Sequence, residues 1–154
     1  MKRNEFLKTG SALVFCSCCG TTVLNGCKAI SGNSDTFVAP ANSYSVDGNT
    51  LKVSLDQVPI LKDVGNSIQL DIPDKKKNLI IIHESANEYK TYDDKCTHGG
   101  RELEYKPDKK ILWCVSFSHS EFDLEGKVVK GPAPDSILTF PTLLDNDELF
   151  IDLT

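Results

Sequence analysis

The amino-acid sequence predicts an all-β fold, an antiparallel sandwich or small barrel, for most of the 154-residue chain. Short segments that alternate apolar and polar residues follow one another from residue 49 onward, as strands with one buried face do. Turn signals separate these segments at short intervals, which is typical of a sandwich or barrel. This region shows no sustained helical periodicity. With 40% hydrophobic residues, the chain has enough apolar side chains for one core.

The strands are predicted in the order of the chain. Residues 51–55 and 68–72 alternate apolar and polar side chains, whereas residues 79–82 form a continuous apolar run that predicts a strand buried on both faces. The other predicted strands are 88–92, 111–113, 127–130, 137–140 and 149–153. The predicted turns are at residues 85–87, 107–108 and 145–147.

The charge of the chain is acidic and unevenly distributed. The 17 Lys and Arg residues against 22 Asp and Glu residues give a formal net charge of −5. Residues 1–26 have a net charge of +2, so the rest of the chain has a net charge of −7. An acidic body repels phosphates, which argues against nucleic acid as a partner.

Residues 1–27 have the pattern of a targeting segment. A basic start, Met1-Lys2-Arg3, precedes an uncharged stretch that is more polar than a membrane span of about 20 apolar residues. This stretch ends in Leu24-Asn25-Gly26-Cys27, which resembles the bacterial lipobox and implies lipidation of Cys27. Residues 3–8 resemble the twin-arginine export pattern, with Asn4 in the place of the second arginine.

Residues 28–47 are predicted to form a flexible tether, because small polar residues dominate them and leave little to bury. The folded domain is then predicted to comprise residues 48–154. A targeting segment, an acylated cysteine and a tether together predict a protein held at a membrane of the bacterial cell envelope through a lipid anchor. The domain would face the periplasm.

The residues with metal-binding chemistry lie in two pairs. Of the six cysteines, only Cys96 and Cys114 belong to the predicted domain, and two of the three histidines, His98 and His119, follow them closely. Each cysteine stands at or just beyond the end of a predicted strand, so each pair belongs to a loop. Two thiolates and two imidazoles suit a soft or borderline metal ion.

With these residues, the sequence from about residue 48 to 154 resembles the Rieske iron–sulfur family. The first box of that family, Cys-x-His-x-Gly, is present as Cys96-Thr97-His98-Gly99-Gly100, and Trp113-Cys114 stands where the second box opens. Residues 120–128 and 131–133 are similar to the stretch that turns back over the cluster and ends in a proline-rich loop. The resemblance implies a Rieske-like fold with a cluster-binding subdomain of two loops and a [2Fe–2S] cofactor.

The second box departs from the family pattern Cys-x-x-His. This chain reads Cys114-Val115-Ser116-Phe117-Ser118-His119, so Phe117 stands at the expected ligand position and the histidine follows two residues later. A longer loop can still present His119 to the metal, because loop tips tolerate insertion. The resemblance therefore implies four ligands. In a Rieske site two cysteines, here Cys96 and Cys114, hold one iron, and two histidines, here His98 and His119, hold the other.

Neighbouring residues bear on the reduction potential of such a cluster. High-potential family members have a disulfide between the two boxes, and Arg101 and Ser116 stand near the places of its cysteines. They also have a serine and a tyrosine hydroxyl that donate to cluster and ligand sulfur. Ser120 matches the serine, whereas Phe122 cannot supply the second hydroxyl. Fewer donors stabilise the reduced cluster less, which favours the lower or middle part of a range of about −150 to +300 mV.

The function implied is one-electron transfer to a redox protein, or to a quinol-oxidising or oxidase complex, without substrate chemistry in this chain. Two other functions remain open. With zinc, which two cysteines and two histidines also satisfy, or with no metal, the domain would be an envelope binding or scaffold module. A soluble ferredoxin that serves an aromatic-ring oxygenase is the third possibility, against which the export segment argues.

Three further residues of the domain are expected to be structural. His83 closes an apolar strand and is expected to be a hydrogen-bonded strand-end residue without a role in function. Trp113 and Phe122 are expected to pack around the two loops, where Trp113 would shield the site from water.

Overall fold

The computed structural model describes residues 37–154 of the chain. The predicted targeting segment with Cys27, and the tether up to residue 36, lie outside the described residues. Within residues 37–154, no helix is long and apolar enough to cross a membrane.

The described part of the chain is built almost entirely from strands. Its helical residues are three short 3-10 turns, Ala41–Ser43, Pro59–Lys62 and Pro73–Lys75. The strands are β1 (Phe37–Val38), β2 (Tyr44–Asp47), β3 (Thr50–Ser54), β4 (Ser67–Ile72), β5 (Lys77–Ser85), β6 (Glu88–Asp93), β7 (Leu103–Lys106), β8 (Ile111–Cys114), β9 (Glu121–Phe122), β10 (Val128–Lys130), β11 (Thr139–Phe140), β12 (Thr142–Asp145) and β13 (Glu148–Asp152). The predicted all-β class is therefore confirmed.

These strands form three sheets. The first has the order β1-β4-β5-β6-β11, the second β12-β13-β3-β2, and the third β10-β9-β8-β7. Every pair is antiparallel except β1 with β4, which is parallel. The third sheet is a meander of β7 to β10. One cysteine–histidine pair lies where the chain enters this sheet, between β6 and β7, and the other lies between β8 and β9.

Most strands predicted from alternation are present within one or two residues of their predicted ends. The exception is the segment 137–140, of which only Thr139–Phe140 pairs as β11. Strand β9 was not predicted, because two residues are too few for a period to be visible. Strands β7 and β12 were not predicted either, although the turn that follows each of them was predicted.

Part of the predicted tether, residues 28–47, is folded. Residues 37 and 38 pair with β4, and all four residues of β2 pair with β3, although both segments lie within the predicted tether 28–47. The Tyr44 hydroxyl also donates to the carbonyl of Asp71 on β4, at 2.9 Å. Backbone pairing does not require an apolar composition, so a polar segment can still be a strand. The folded part of the chain thus begins before residue 48.

Strand β5 separates two hydrophobic cores. Leu79 and Ile81 face a core between the first and second sheets, whereas Ile80 and Ile82 face a core between the first and third sheets. All four side chains are fully buried, which confirms the predicted strand with two buried faces. The second core also contains Cys96, Cys114 and Phe122. The candidate site therefore lies at the end of this second core.

Candidate metal centre

The first cysteine–histidine pair lies in the loop between β6 and β7. The Cys96 N–H donates to the carbonyl of Arg101 at 2.8 Å, which closes the loop at its base. The N–H groups of Gly99 and Gly100 donate back to the Cys96 carbonyl at 3.2 and 2.7 Å. Gly100 has a φ of +67°, in the left-handed region that favours glycine, so the paired glycines allow this tight turn.

The second pair lies in the loop between β8 and β9. The Cys114 N–H donates to the Ser120 carbonyl at 2.9 Å, so the loop leaves and re-enters the sheet between these two residues. The Val115 N–H donates to the Glu102 carbonyl at 3.1 Å. This bond joins the second loop to the first. The two loops therefore lie side by side at one end of the third sheet.

A third loop, residues 131–138 between β10 and β11, packs against both. The Ala133 N–H donates to the Ser120 hydroxyl at 3.0 Å, and the Thr97 hydroxyl donates to the Asp135 carbonyl at 2.6 Å. Gly131 has a φ of +99°, and a Cβ there would lie 2.6 Å from the His119 carbonyl oxygen. This loop is the proline-rich segment singled out in the sequence, and it ties the two cysteine loops together.

The structure brings the two predicted cysteine ligands together. Cys96 is 1% exposed and Cys114 is 0% exposed, both are free thiols, and they lie close enough that each shifts the pKa of the other. Burial raises the pKa of Cys96, and the neighbouring Cys114 sulfur raises it further, while the Ser120 hydroxyl opposes the shift. These two thiols form a compact sulfur pair at the base of the loops.

The pKa values of the two thiols are shifted in opposite directions. Burial opposes ionisation of Cys114, yet its pKa is lowered, because hydrogen bonds to the Ser116 hydroxyl, to the Cys96 thiol and to the backbone of residues 116 and 120 outweigh burial. The distance between Cys114 Sγ and Ser116 Oγ is 3.2 Å. Since thiolates are the form that binds metal, this environment favours Cys114 as a ligand.

Both predicted histidine ligands are exposed at the same end of the sheet. His98 lies two residues beyond Cys96, and His119 lies at the end of the second loop. The His119 ring packs against Trp113, with ring centroids 4.8 Å apart and planes tilted by 42°. Within residues 37–154, no three or more His, Cys, Asp or Glu side chains converge closely enough to hold a metal ion. The imidazoles therefore do not lie in one group with both sulfurs.

Three aromatic residues around the loops have distinct positions. Phe117, at the place where the family has its histidine, is fully exposed at the tip of the second loop. Phe122 is fully buried in the core with both cysteines, as predicted. Trp113 alternates with Cys114 along β8, so its ring lies on the opposite face of the strand, where it contacts His119.

His83 does not have the hydrogen bonds that the sequence analysis expected. It is only 5% exposed, and neither ring nitrogen has a hydrogen-bond partner within the described residues, so the expectation of a satisfied histidine is wrong. Its ring stacks on Tyr89 instead, with centroids 4.3 Å apart. It belongs to strand β5 and to neither cysteine loop.

Asp94 is a residue of the site that the sequence did not reveal. Its carboxylate accepts a 2.6 Å hydrogen bond from the Leu103 N–H, and its own N–H donates to the Asn78 carbonyl at 2.7 Å. Asp94 thereby fixes both the start and the end of the first loop to the body of the domain. It is 4% exposed, and burial raises its pKa to about 6, against the opposing hydrogen bond from Leu103. The only signal in the sequence is its place two residues before Cys96.

Comparison with known proteins identifies the family. The Rieske [2Fe–2S] domain family matches residues 44–141, more than half of the chain. The protein belongs to this family. Its cofactor is a [2Fe–2S] cluster, and its role is that of an electron carrier.

A curated relative supports the same role. The chain is 27% identical over 77 residues to a 3-phenylpropionate/cinnamic acid dioxygenase ferredoxin subunit of Shigella boydii serotype 4 (strain Sb227). The match covers 49% of this chain and 73% of that protein.

Two solved structures share the Rieske fold. The ferredoxin of carbazole 1,9a-dioxygenase from Nocardioides aromaticivorans IC177 is similar with a TM-score of 0.53, at 14% identity over 66% of this chain and 94% of that one. A ferredoxin from a complex of reduced oxygenase and oxidized ferredoxin in carbazole 1,9a-dioxygenase has a TM-score of 0.54, at 16% identity over 69% and 94% of the two chains.

The residues of the two loops fit a Rieske cluster. The two buried thiols on adjacent loops suit one iron, and the two imidazoles on the same loops complete the donor set of two cysteines and two histidines. The contacts among the three loops hold the sulfurs at the end of a dry core while both histidines remain at the surface.

Proposed function

We propose that Cys96 and Cys114 bind one iron of the [2Fe–2S] cluster and that His98 and His119 bind the other. The supporting observation is the pair of buried thiols on two adjacent loops, each followed by an exposed histidine. For His119 to reach the iron, its ring must leave Trp113. The loop that holds it extends beyond the family's spacing, which gives the side chain this freedom.

Each part of the site has a distinct task in electron transfer. The bound cluster supplies a one-electron redox centre. The buried cysteines place their sulfurs at the end of the second core, away from water. The exposed histidines, in turn, lie at the surface that a redox protein would contact, so the electron has a short path out of the domain.

The ligand set also bears on the potential. Two thiolates and two neutral imidazoles leave the oxidised site formally neutral, whereas four thiolates would leave it doubly negative, so reduction is easier in the Rieske site. Phe122, fully buried beside the cysteines, has no hydroxyl to donate to sulfur. We therefore expect a midpoint in the lower or middle part of about −150 to +300 mV, and a voltammetric value near the top of that range would contradict this.

Electron paramagnetic resonance on the dithionite-reduced holoprotein tests the ligand set. We expect a rhombic Rieske-type spectrum in the wild type and its loss in His119→Ala, because removal of one imidazole leaves one iron under-coordinated. His83→Phe, which replaces the histidine outside the loops, is the control and should keep the signal. Survival of the signal in His119→Ala would mean that another residue completes the site. A wild type without any iron signal would overturn the cluster itself.

We further propose that this carrier works at the cell envelope. The support is in the sequence: a basic targeting segment, residues 1–27, ends in a lipobox-like Cys27, and polar residues follow before the folded domain. A lipid at Cys27 would hold the domain at the membrane, facing the periplasm, where its partner would be a redox protein or a quinol-oxidising or oxidase complex.

A second candidate is a soluble ferredoxin for an oxygenase, which the relation to the Shigella ferredoxin subunit favours. Fractionation of cells that express the full chain distinguishes the two. The envelope carrier predicts wild-type protein in the membrane fraction and release on Cys27→Ser, with Cys19→Ser unchanged as the control. Wild-type protein in the soluble cytoplasmic fraction would favour the ferredoxin instead.

A further inference from the structure

The hydroxyl of Ser116 lies next to the sulfur of a proposed cluster ligand. The distance between Ser116 Oγ and Cys114 Sγ is 3.2 Å, within the sulfur hydrogen-bond range, and the serine side chain is half-buried. In the free protein the Cys114 thiol donates to this oxygen. A thiolate that binds iron has no proton, so it can only accept, and a serine hydroxyl can act as donor as well as acceptor.

We propose that Ser116 donates a hydrogen bond to the iron-bound Cys114 sulfur and thereby raises the reduction potential of the cluster. This inference rests on the proposed function, in which Cys114 is a ligand. Reduction adds one negative charge to the site, and part of that charge resides on the ligand sulfurs. A hydroxyl donor aimed at such a sulfur stabilises the reduced form more than the oxidised form.

Ser116 and Ser120 have different hydrogen-bond partners. The Ser120 hydroxyl is fully buried and accepts the Ala133 N–H at 3.0 Å. The third loop therefore fixes the position of the Ser120 hydroxyl. Ser116 instead contacts Cys114, the cysteine at the end of β8.

Ser116 stands near the place where high-potential family members have a disulfide cysteine, and here it brings a hydroxyl to Cys114. Phe122, the buried aromatic residue beside the cysteines, offers no hydroxyl. Ser118, two residues further along, is exposed and has no hydrogen bond to either sulfur. Of the two serines between the cysteine and the histidine of this loop, Ser116 is the one in contact with a ligand.

Midpoint potentials of matched variants, measured by voltammetry on the holoprotein, test this role. Ser116→Val and Ser116→Thr have nearly the same shape and differ in the hydroxyl. We expect Ser116→Val to decrease the equilibrium constant for reduction on the order of tenfold, which is about 59 mV more negative for one electron. Ser116→Thr should stay near the wild-type midpoint, and so should Ser118→Val, the control within the same loop.

The outcomes separate this inference from the proposed function. Equal midpoints for Ser116→Val and Ser116→Thr, with intact Rieske-type resonance spectra, would overturn the inference and leave the ligand set in place. A wild type without a Rieske-type spectrum would overturn both. If Ser116→Val and the smaller Ser116→Ala both fail to bind the cluster, the hydroxyl holds the loop and does not tune the potential, which also overturns the inference.

Discussion

At the scale of single residues, His83 is the clearest case of a polar group buried at a cost. Both ring nitrogens are buried without a partner, and leaving such a group unsatisfied costs about 1–3 kcal/mol. The stack on Tyr89 offsets part of this, since aromatic pairs contribute about 0.5–1.5 kcal/mol. A substitution that keeps an aromatic ring and removes the two nitrogens should therefore increase the stability of the protein.

We predict that His83→Phe increases the free energy of unfolding by about 1–3 kcal/mol. The phenyl ring keeps the contact with Tyr89 and has no polar atom to satisfy. Urea denaturation followed by circular dichroism measures the change. His83→Ala is the comparison, because it removes the nitrogens and the ring together and should be less stable than the wild type. A phenylalanine variant less stable than the wild type would contradict this account.

The individual site residues differ in how far the sequence reveals them. Cys96 and Cys114 are recognisable because a strand places each at its end and few other residues share their chemistry. Asp94 and Ser116 are not, because their roles depend on contacts that only the folded chain creates. The partner of Asp94, the Leu103 N–H, lies nine residues away, and that of Ser116 is a side chain whose direction depends on the loop.

At the scale of elements, the third loop holds the second loop in place. Gly131 lies so close to the second loop that a Cβ would be 2.6 Å from the His119 carbonyl oxygen and 2.6 Å from Ser120 Cα. Both of these are backbone atoms, which cannot rotate away as a flexible side chain can. A side chain at this position must push the two loops apart.

We predict that Gly131→Ala lowers the iron content of the purified protein and destabilises the fold by about 1–3 kcal/mol. Iron and sulfide analysis measures the first and urea denaturation the second. Gly48→Ala is the control, because Gly48 also has a positive φ, +58°, but a Cβ there meets nothing within 4 Å. Gly48→Ala should lower the free energy of unfolding only through backbone strain, by about 1–2 kcal/mol, and should leave the iron content unchanged. Equal iron loss in both variants would show that strain, not loop contact, is responsible.

Strands with a clear pattern of apolar residues can be predicted from the sequence, whereas very short strands and strands rich in polar residues cannot. The five alternating residues of 51–55 and the apolar run 79–82 predict strands because burial imposes the pattern. Strands β1 and β9 have two residues each and are defined by pairing alone. Strand β2 is rich in polar residues, yet it pairs with β3 along its whole length, which the composition could not indicate.

At the scale of the whole molecule, strand β5 couples the body of the domain to the site. Ile81 faces the core between the first two sheets, and Ile80 faces the core that contains both cysteines. The two residues are adjacent, equally buried and of the same type. Substitutions of these two residues can therefore be compared to separate effects on the stability of the fold from effects on retention of the cluster.

We predict that Ile80→Ala and Ile81→Ala each lower the free energy of unfolding by about 2–5 kcal/mol, because each leaves a cavity in a dense core. Only Ile80→Ala should also accelerate loss of the cluster, since its cavity lies in the core that positions the two sulfurs. Circular dichroism in urea measures the first effect, and the decay of cluster absorbance in the presence of a chelator, below the unfolding transition, measures the second. Equal cluster loss in both variants would mean that the two cores respond as one unit, and the separate role assigned to the second core would then be wrong.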